Sequence, residues 1–327
     1  MRVVHEESRF VPDLEAAQRE ALAAFNDGAV YLEKFITNPR HVEVQVMADQ
    51  SNNAVHLYER DCSVQRRHQK VIEETPCPVL QEDTRQKMGE VAVRATRAVD
   101  YRGAGTVEFL YNPKANEFYF LEMNTRLQVE HPITELCTGV DLVRWQILVA
   151  DGKKLPLTQE QIQPRGAAIE CRIYAEDPVK FLPSPGKITV LRQPSGPGVR
   201  DDSGVYSGAT ITPFYDPLIS KLCVWARDRN DAVARMKRAL SEYRVVGIQT
   251  NLLFHELVLE HPAFVSGEYD TGFIAAHKEQ LTPPKTTPDI LTIAAAAIDN
   301  LRHSSRQAEI ISSEANGISA WRRVGRQ

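Results

Sequence analysis

With 327 residues, 43% of them hydrophobic and 25% charged, the chain has material for one large or two to three ordinary domains with buried cores. A formal net charge of −4 and a pI near 6.2 exclude a general attraction to nucleic acid or to anionic membranes, so any basic site must be local. The five cysteines, Cys62, Cys77, Cys137, Cys171 and Cys223, are scattered and never form a C-x-x-C pair, which argues against a disulfide framework and a structural zinc and fits a reducing cytoplasm.

In chain order, Asp13 is placed to cap a helix over 15–24, and Asn26-Asp27-Gly28 supplies its stop. An apolar run at 29–36, an alternating run with Val42, Val44 and Val46 on one face, and 55–58 after a polar turn at 49–53 are expected as antiparallel strands. A second helix over 83–100 places Met88, Val91, Ala95 and Ala98 on one stripe. Two strand-like runs follow, 106–111 and 117–123, joined by a hairpin loop at Asn112-Pro-Lys-Ala-Asn116. A helix over 141–150 closes at Asp151-Gly152.

From Gly166 the texture changes. An alternating strand turns Ile169, Cys171 and Ile173 inward, Pro- and Gly-rich turns run from 183 to 198, and short strands continue to Trp225. Helices over 229–243 and after Asn251 complete a mixed unit, and 282–288 is a linker by composition before a helix near 289–302. The fold class is α+β, divided as 1–155, 166–278 and 279–327. The longest clearly apolar run, 290–298, is too short for a bilayer, so no membrane or targeting segment is expected.

The chemistry concentrates between Glu108 and Pro132. If the hairpin is centred near Ala115, paired residue numbers sum to 230 and Glu108 faces Glu122. Opposed carboxylates call for a cation or a shared proton, unless they are two solvated surface glutamates. Glu122, Asn124, Arg126, Gln128 and Glu130 then recur at every second position, which in an extended chain puts them on one face. Hard oxygen ligands, a planar guanidinium and a further carboxylate suit magnesium, an anionic substrate and a general base in succession; a plain polar edge strand gives the same alternation.

A second concentration, Arg60-Asp-Cys-Ser-Val-Gln-Arg-Arg-His-Gln-Lys70, offers Gln65, His68 and Lys70 to phosphates or else forms a solvated basic loop. No aromatic residues interleave it, which speaks against nucleic acid. Glu33-Lys34 faces a nucleotide or forms an exposed ion pair, and His41 alone reads as structural. Arg172, sharing a strand face with Glu170 and Tyr174, is an oxyanion clamp or the partner of Glu170.

Together, Glu33-Lys34, Asn38-Pro-Arg-His41-Val-Glu43, the 60–70 segment, Gly105-Thr-Val-Glu108-Phe109 and Glu122-Met-Asn-Thr-Arg-Leu-Gln-Val-Glu-His-Pro132 resemble the biotin carboxylase family of ATP-grasp ligases. The resemblance extends through Glu170-Cys-Arg172-Ile-Tyr-Ala-Glu176, Tyr215-Asp-Pro-Leu-Ile-Ser-Lys221 and Gly247-Ile-Gln-Thr-Asn251, covering about 1–278. It implies an ATP-grasp domain followed by a biotin carboxylase C-terminal domain. The implied reaction is phosphorylation of bicarbonate by ATP to carboxyphosphate, which delivers carbon dioxide to biotin on a carrier domain. By motif position, Glu33, Lys34, His41, Gln65 and His68 would contact ATP, while Glu108, Glu122 and Asn124 would hold magnesium or manganese. Lys70, Arg126, Gln128 and the Val129 backbone N–H would surround bicarbonate, Glu130 would deprotonate it, and Arg172 would stabilise the biotin enolate.

The sequence begins at Met1-Arg2, where the family's glycine-rich phosphate loop has just ended, so an N-terminally truncated chain is expected. Gly267-Glu-Tyr-Asp-Thr-Gly-Phe-Ile274 and the Ser319-Ala-Trp-Arg-Arg323 tail resemble acyl-CoA carboxylase alpha subunits of the acetyl-/propionyl-CoA carboxylase type. That resemblance implies fatty acid metabolism, two partners in the form of a biotin carboxyl carrier domain and a carboxyltransferase subunit, and a homodimer. The competing readings are a non-catalytic fragment and an ATP-grasp ligase of the carbamoyl-phosphate synthetase type.

Overall fold

The computed structural model describes residues 2–283, 293–294, 296–299 and 301. They fall in two units, Met1–Pro283 and Pro284–Gln327. In the second, the described residues are helical and lie within the helix expected near 289–302; the rest of that helix, 284–288 of the linker and the polar tail lie outside the described residues.

The first unit is built on a sheet whose early strands are β1 (Arg40–Ala48), β2 (Ala54–Arg66), β3 (Gln69–Thr75), β4 (Gly103–Asn112), β5 (Glu117–Asn124) and β6 (Ala167–Tyr174). The later strands are β7 (Gly186–Lys187), β8 (Val190–Arg192), β9 (Val199–Ser203), β10 (Thr210–Ile211), β11 (Leu218–Ala226) and β12 (Arg244–Val246). Eight of them form one antiparallel sheet in the order β5-β4-β1-β2-β3-β6-β11-β9, while β10 pairs with β7 and β12 with β8. The segment between 155 and 166 does not interrupt this sheet, because β3 pairs directly with β6.

One face is apolar. Val42, Val44 and Val46 pack there with Val107, Phe109 and Tyr111 under helix α2 (Glu82–Ala98). The buried stripe of α2 runs through Thr84, Met88, Ala92, Val93 and Thr96, not through Ala95 and Ala98 as its spacing suggested. Gly89 is part of the reason: a Cβ there would stand 2.6 Å from His56 Nε2, so the helix turns its glycine onto that ring. On the same face, Ile169, Cys171 and Ile173 point inward as expected, packed with helices α5 (Arg229–Glu242), α6 (Leu252–Glu260), α7 (Pro262–Ser266) and α8 (Phe273–Ala276).

The opposite face carries α3 (His131–Thr138) and α4 (Leu142–Ala150). Ile133 and Cys137 of α3 pack on Ala168 and Cys223; Leu142, Trp145 and Val149 of α4 pack on Met47, Leu57 and Ala104. Helix α3 was not among the expected elements; the strand before it ends at Asn124, and Pro132 in the first turn and Gly139 in the left-handed conformation bound the helix. Arg126, Gln128 and Glu130 are therefore not on a strand face.

Three further expectations are corrected. Helix α1 (Phe10–Phe25) starts before Asp13, which lies in its first turn and accepts from Arg9 at 3.1 Å, while Asn26 ends it at φ 56°. The 29–36 run joins no ladder among the described residues, and Tyr31 and Leu32 are 82% and 73% exposed; without a neighbouring strand, apolar character alone does not make β structure. The 60–70 segment is a hairpin, not a loop: Arg67 and His68 take φ 49° and 64°, the twist a two-residue turn needs. All five cysteines are buried and free, and no helix among the described residues is long and apolar enough to cross a membrane.

Candidate active site

The polar side of β1, His41-Glu43-Gln45, faces away from α2. Register places Arg60 of β2 opposite Glu43, Glu43 opposite Glu108 of β4, and Glu108 opposite Glu122 of β5. A single row of charges thus crosses four strands. The Glu108–Glu122 pairing is the one expected, but it depends on a β-bulge: Phe109 pairs with Phe120, so Leu121 is left over between the two registers. Without that extra residue the alternation would turn Glu122 to the α2 face.

Arg60 is fully buried, and its guanidinium donates to Glu43 at 2.6 Å, Gln45 at 2.9 Å and Thr134 at 2.8 Å. Lys70, just past the hairpin turn, donates to Glu43, to Glu108 Oε1 at 2.9 Å and to Glu130 Oε1 at 2.9 Å. His41 Nε2 meets Glu108 Oε2 at 2.8 Å. Burial would raise the Glu43 pKa, but Arg60 and then Lys70 hold it at about 2. Glu108 is likewise held at about 2, against burial, by the His41 hydrogen bond and by Lys70. Burial works against the Lys70 charge, yet Glu43 and the neighbouring carboxylates outweigh it and keep the ammonium protonated.

Glu130 sits at the N-cap of α3 and is fully buried. Its second oxygen accepts from Arg172 at 2.9 Å, and the same guanidinium donates to Glu73 Oε1 at 2.6 Å. Arg172 is thus paired with Glu73 and Glu130 and not with Glu170. Its backbone carbonyl accepts from Asn251 Nδ2 at 2.9 Å and meets His255 Nε2 at 2.8 Å, while Asn251 Oδ1 accepts from Tyr174 N at 2.8 Å. Asn251 thereby supplies the hydrogen bonds that β6 lacks where β3 has turned away.

Every predicted site residue except Glu130 lines one open cleft of about 2010 Å³. Glu33 and Lys34 lie exposed on the 29–36 segment, and Lys34 donates to Tyr119 at 2.7 Å instead of pairing with Glu33. Gln65 is at the end of β2 and His68 at the exposed turn. Glu122, Asn124, Arg126 and Gln128 are linked in succession: Asn124 donates to Glu122 at 3.0 Å, and Arg126 donates to Gln128 at 2.9 Å and Asn124 at 3.4 Å. Val129 offers its carbonyl to Lys221 at 3.1 Å. Glu130 stands directly behind Lys70 and Arg172.

The oxygens of Glu108, Glu122 and Asn124 are a hard donor set on adjoining strands, the kind magnesium takes. A second grouping, His41, Glu43 and Glu108, has ligand atoms within 4.8 Å of one another, but Lys70 already places its ammonium on two of these residues. Sequence reasoning missed Glu43, Glu73, Asn251 and His255 as parts of this assembly. Glu43 was legible as the polar half of the β1 alternation; Glu73, beside Glu74 in a mostly polar strand, had no local signal to set it apart from a solvated glutamate.

Two family models match in tandem: the carbamoyl-phosphate synthase L chain ATP-binding domain over residues 1–158 and the biotin carboxylase C-terminal domain over 170–276. A pyruvate carboxylase subunit of Methanothermobacter thermautotrophicus is 54% identical over 279 residues, 85% of this chain and 56% of that protein. Biotin carboxylase of a Nostoc species is 53% identical over 275 residues, 84% of this chain and 61% of that one. Among solved structures, the biotin carboxylase domain dimer of Hydrogenobacter thermophilus 2-oxoglutarate carboxylase, in complex with MgADP, ADP and bicarbonate, superposes with a TM-score of 0.80 at 42% identity, over 87% of this chain and 63% of that one. The chain therefore spans about three fifths of the length of these two relatives. In its two successive domains and in the path of its chain it belongs to the biotin carboxylase family.

Proposed function

We propose that this chain is the biotin carboxylase component of a biotin-dependent carboxylase, using ATP to carboxylate carrier-bound biotin with bicarbonate through carboxyphosphate. The observation that carries the reading is Glu130, buried directly behind Lys70 and Arg172, whose side chains bond to it and line the open cleft. Two permanent cations there attract a bicarbonate anion, and the carboxylate between them takes its proton as the cations transfer their interaction to the new charge. Arg126, Gln128 and the Val129 backbone N–H complete the bicarbonate site. Arg172 is positioned to stabilise negative charge on the ureido oxygen of biotin.

Glu33, Lys34, His41, Gln65 and His68 are assigned to ATP. Glu108, Glu122 and Asn124 are assigned to magnesium, or manganese in its place, which when bound would neutralise phosphate charge. The proposed division is an ATP-grasp domain over 1–155, a biotin carboxylase C-terminal domain over 166–278 and a linker-led region over 279–327; the matched segments support it. The proposed partners are a biotin carboxyl carrier domain and a carboxyltransferase subunit, supported by relatives named as carboxylase subunits, and the dimeric relative supports a homodimer. An acyl-CoA carboxylase of cytoplasmic fatty acid metabolism is the setting we favour.

Bicarbonate-dependent ADP release stimulated by free biotin tests the reading. Ammonia-dependent release would replace it with a carbamoyl-phosphate synthetase type of ligase. Absence of either activity in a folded chain would make it a non-catalytic fragment.

A further inference from the structure

Glu73 of β3 and Glu170 of β6 are direct cross-strand partners, both fully buried on the sheet face that carries Arg172. Facing residues of an antiparallel ladder bring their Cβ atoms to about 4.5–5.5 Å. Each carboxyl group has one oxygen engaged: Glu73 Oε1 by Arg172 Nε at 2.6 Å, Glu170 Oε2 by Cys223 Sγ at 3.2 Å. The other two, Glu73 Oε2 and Glu170 Oε1, are buried without a hydrogen-bond partner. Two facing acids with one orphaned oxygen each lack a single hydrogen atom between them.

The surrounding charges do not supply a cation in its place. From β3, Lys70 is committed to Glu43, Glu108 and Glu130; from β6, Arg172 is divided between Glu73 and Glu130. From β11, Lys221 is held by the Val129 carbonyl and Asp202. Glu130 at the start of α3 adds negative charge, and Cys62, Cys171 and Cys223 are buried thiols.

We propose that Glu73 and Glu170 share one proton, which Glu170 carries and donates to Glu73, leaving Glu73 as the single anion that fixes the Arg172 guanidinium. Burial, with Glu73 facing it, pushes the Glu170 carboxyl well above the usual carboxylate range; burial also pushes Glu73 up to about 7, although Arg172 opposes this. Glu73 is then a positioning residue acting through Arg172. That consequence rests on the assignment of Arg172 above, whereas the shared proton does not.

Carbon-13 NMR of the full chain labelled at the glutamate δ-carbon reads the proton directly. A protonated carboxyl signal that persists at pH 7 and is lost in Glu170→Gln is the expected result. No protonated glutamate at pH 7 in the wild-type chain, or one that survives in both Glu170→Gln and Glu73→Gln, overturns the proposal. In biotin carboxylation, Glu73→Gln should lose roughly 10–100-fold, the usual effect of removing a partner that orients a functional group. Glu170→Gln should abolish the alkaline fall that ionisation of the pair causes in the wild type, because its amide keeps donating to Glu73 at every pH. An unchanged alkaline limb in Glu170→Gln would also count against the pair. If the wild-type chain carboxylates nothing, the functional reading fails while the NMR result stands.

Discussion

Glu108 and Glu122 stand face to face because β5 carries one more residue than β4 can match. Outside Leu121 the paired numbers sum to 229, and inside it they sum to 230. The bulge moves Glu122 from the apolar face to the polar one and creates a like-charge pair that a hairpin would ordinarily avoid.

Replacing Glu122 by Gln should therefore separate stability from metal binding. In chelator the variant should be unchanged or more stable by about 0.2–1 kcal/mol, because the opposed charge is gone. Its stabilisation by added magnesium should fall. Thermal unfolding with and without magnesium measures both, and an undiminished magnesium effect would remove Glu122 from the ligand set.

Glu130→Gln should leave the chain folded, since Lys70 keeps Glu43 and Glu108 and Arg172 keeps Glu73. Bicarbonate-dependent ADP release should drop by roughly 10²–10⁴-fold, the contribution of a general base, with nucleotide binding retained. Turnover alongside nucleotide titration checks this, and unchanged turnover would refute the assigned base.

Arg60→Met should be among the most damaging substitutions in the sheet. It strips Glu43 of its 2.6 Å partner in a fully buried position and leaves the Gln45 and Thr134 oxygens without their donor. A broken buried ion pair costs about 3–5 kcal/mol. Denaturant titration measures the loss, and Lys at the same position should recover only part of it, because an ammonium cannot reproduce the planar fork.

Two groups should withdraw stability on acidification, each read as the difference between wild type and variant, because the raised Glu170 and Glu73 carboxyls act in the opposite sense above pH 4.5. Burial depresses the His255 pKa from 6.5 to about 4, although its bond to the Arg172 carbonyl opposes the shift. The unfolded chain takes up that proton first, so stability declines as pH drops from about 6.5 toward 4. Glu43, held at about 2 against an ordinary 4.5, adds a second decline between those values. Both terms are lost with falling pH, and His255→Gln should flatten the upper decline in a series of urea midpoints.

Much of this was legible in advance because it is periodic. Val42, Val44 and Val46 announced β1, and Ile169, Cys171 and Ile173 announced β6. The Glu108–Glu122 pairing came correctly from hairpin arithmetic, although the true centre differs and the bulge makes up the difference. Periodicity failed where a chain element is buried on both sides. In β2, Arg60, Asp61 and Cys62 are all enclosed, so the strand read as a basic loop. It also failed across turns: Arg126 meets Gln128 within a loop and Glu130 caps α3 to face Lys70 and Arg172, which no two-residue repeat describes. The roles of Glu73 and Asn251 in holding Arg172 escaped for a different reason. Their partners lie 99 and 79 residues away, a distance that only tertiary pairing spans.

The direct pairing of β3 with β6 bears on how the protein can be taken apart. The two family models match separate segments, but the ladder from Ile72–Cys171 to Thr75–Ala168 joins those segments in one sheet. Severing the chain between 158 and 170 and producing the pieces separately would expose two raw strand edges, one of them beside Arg172. The boundary between the matched segments is no mechanical break, because the sheet runs straight through it.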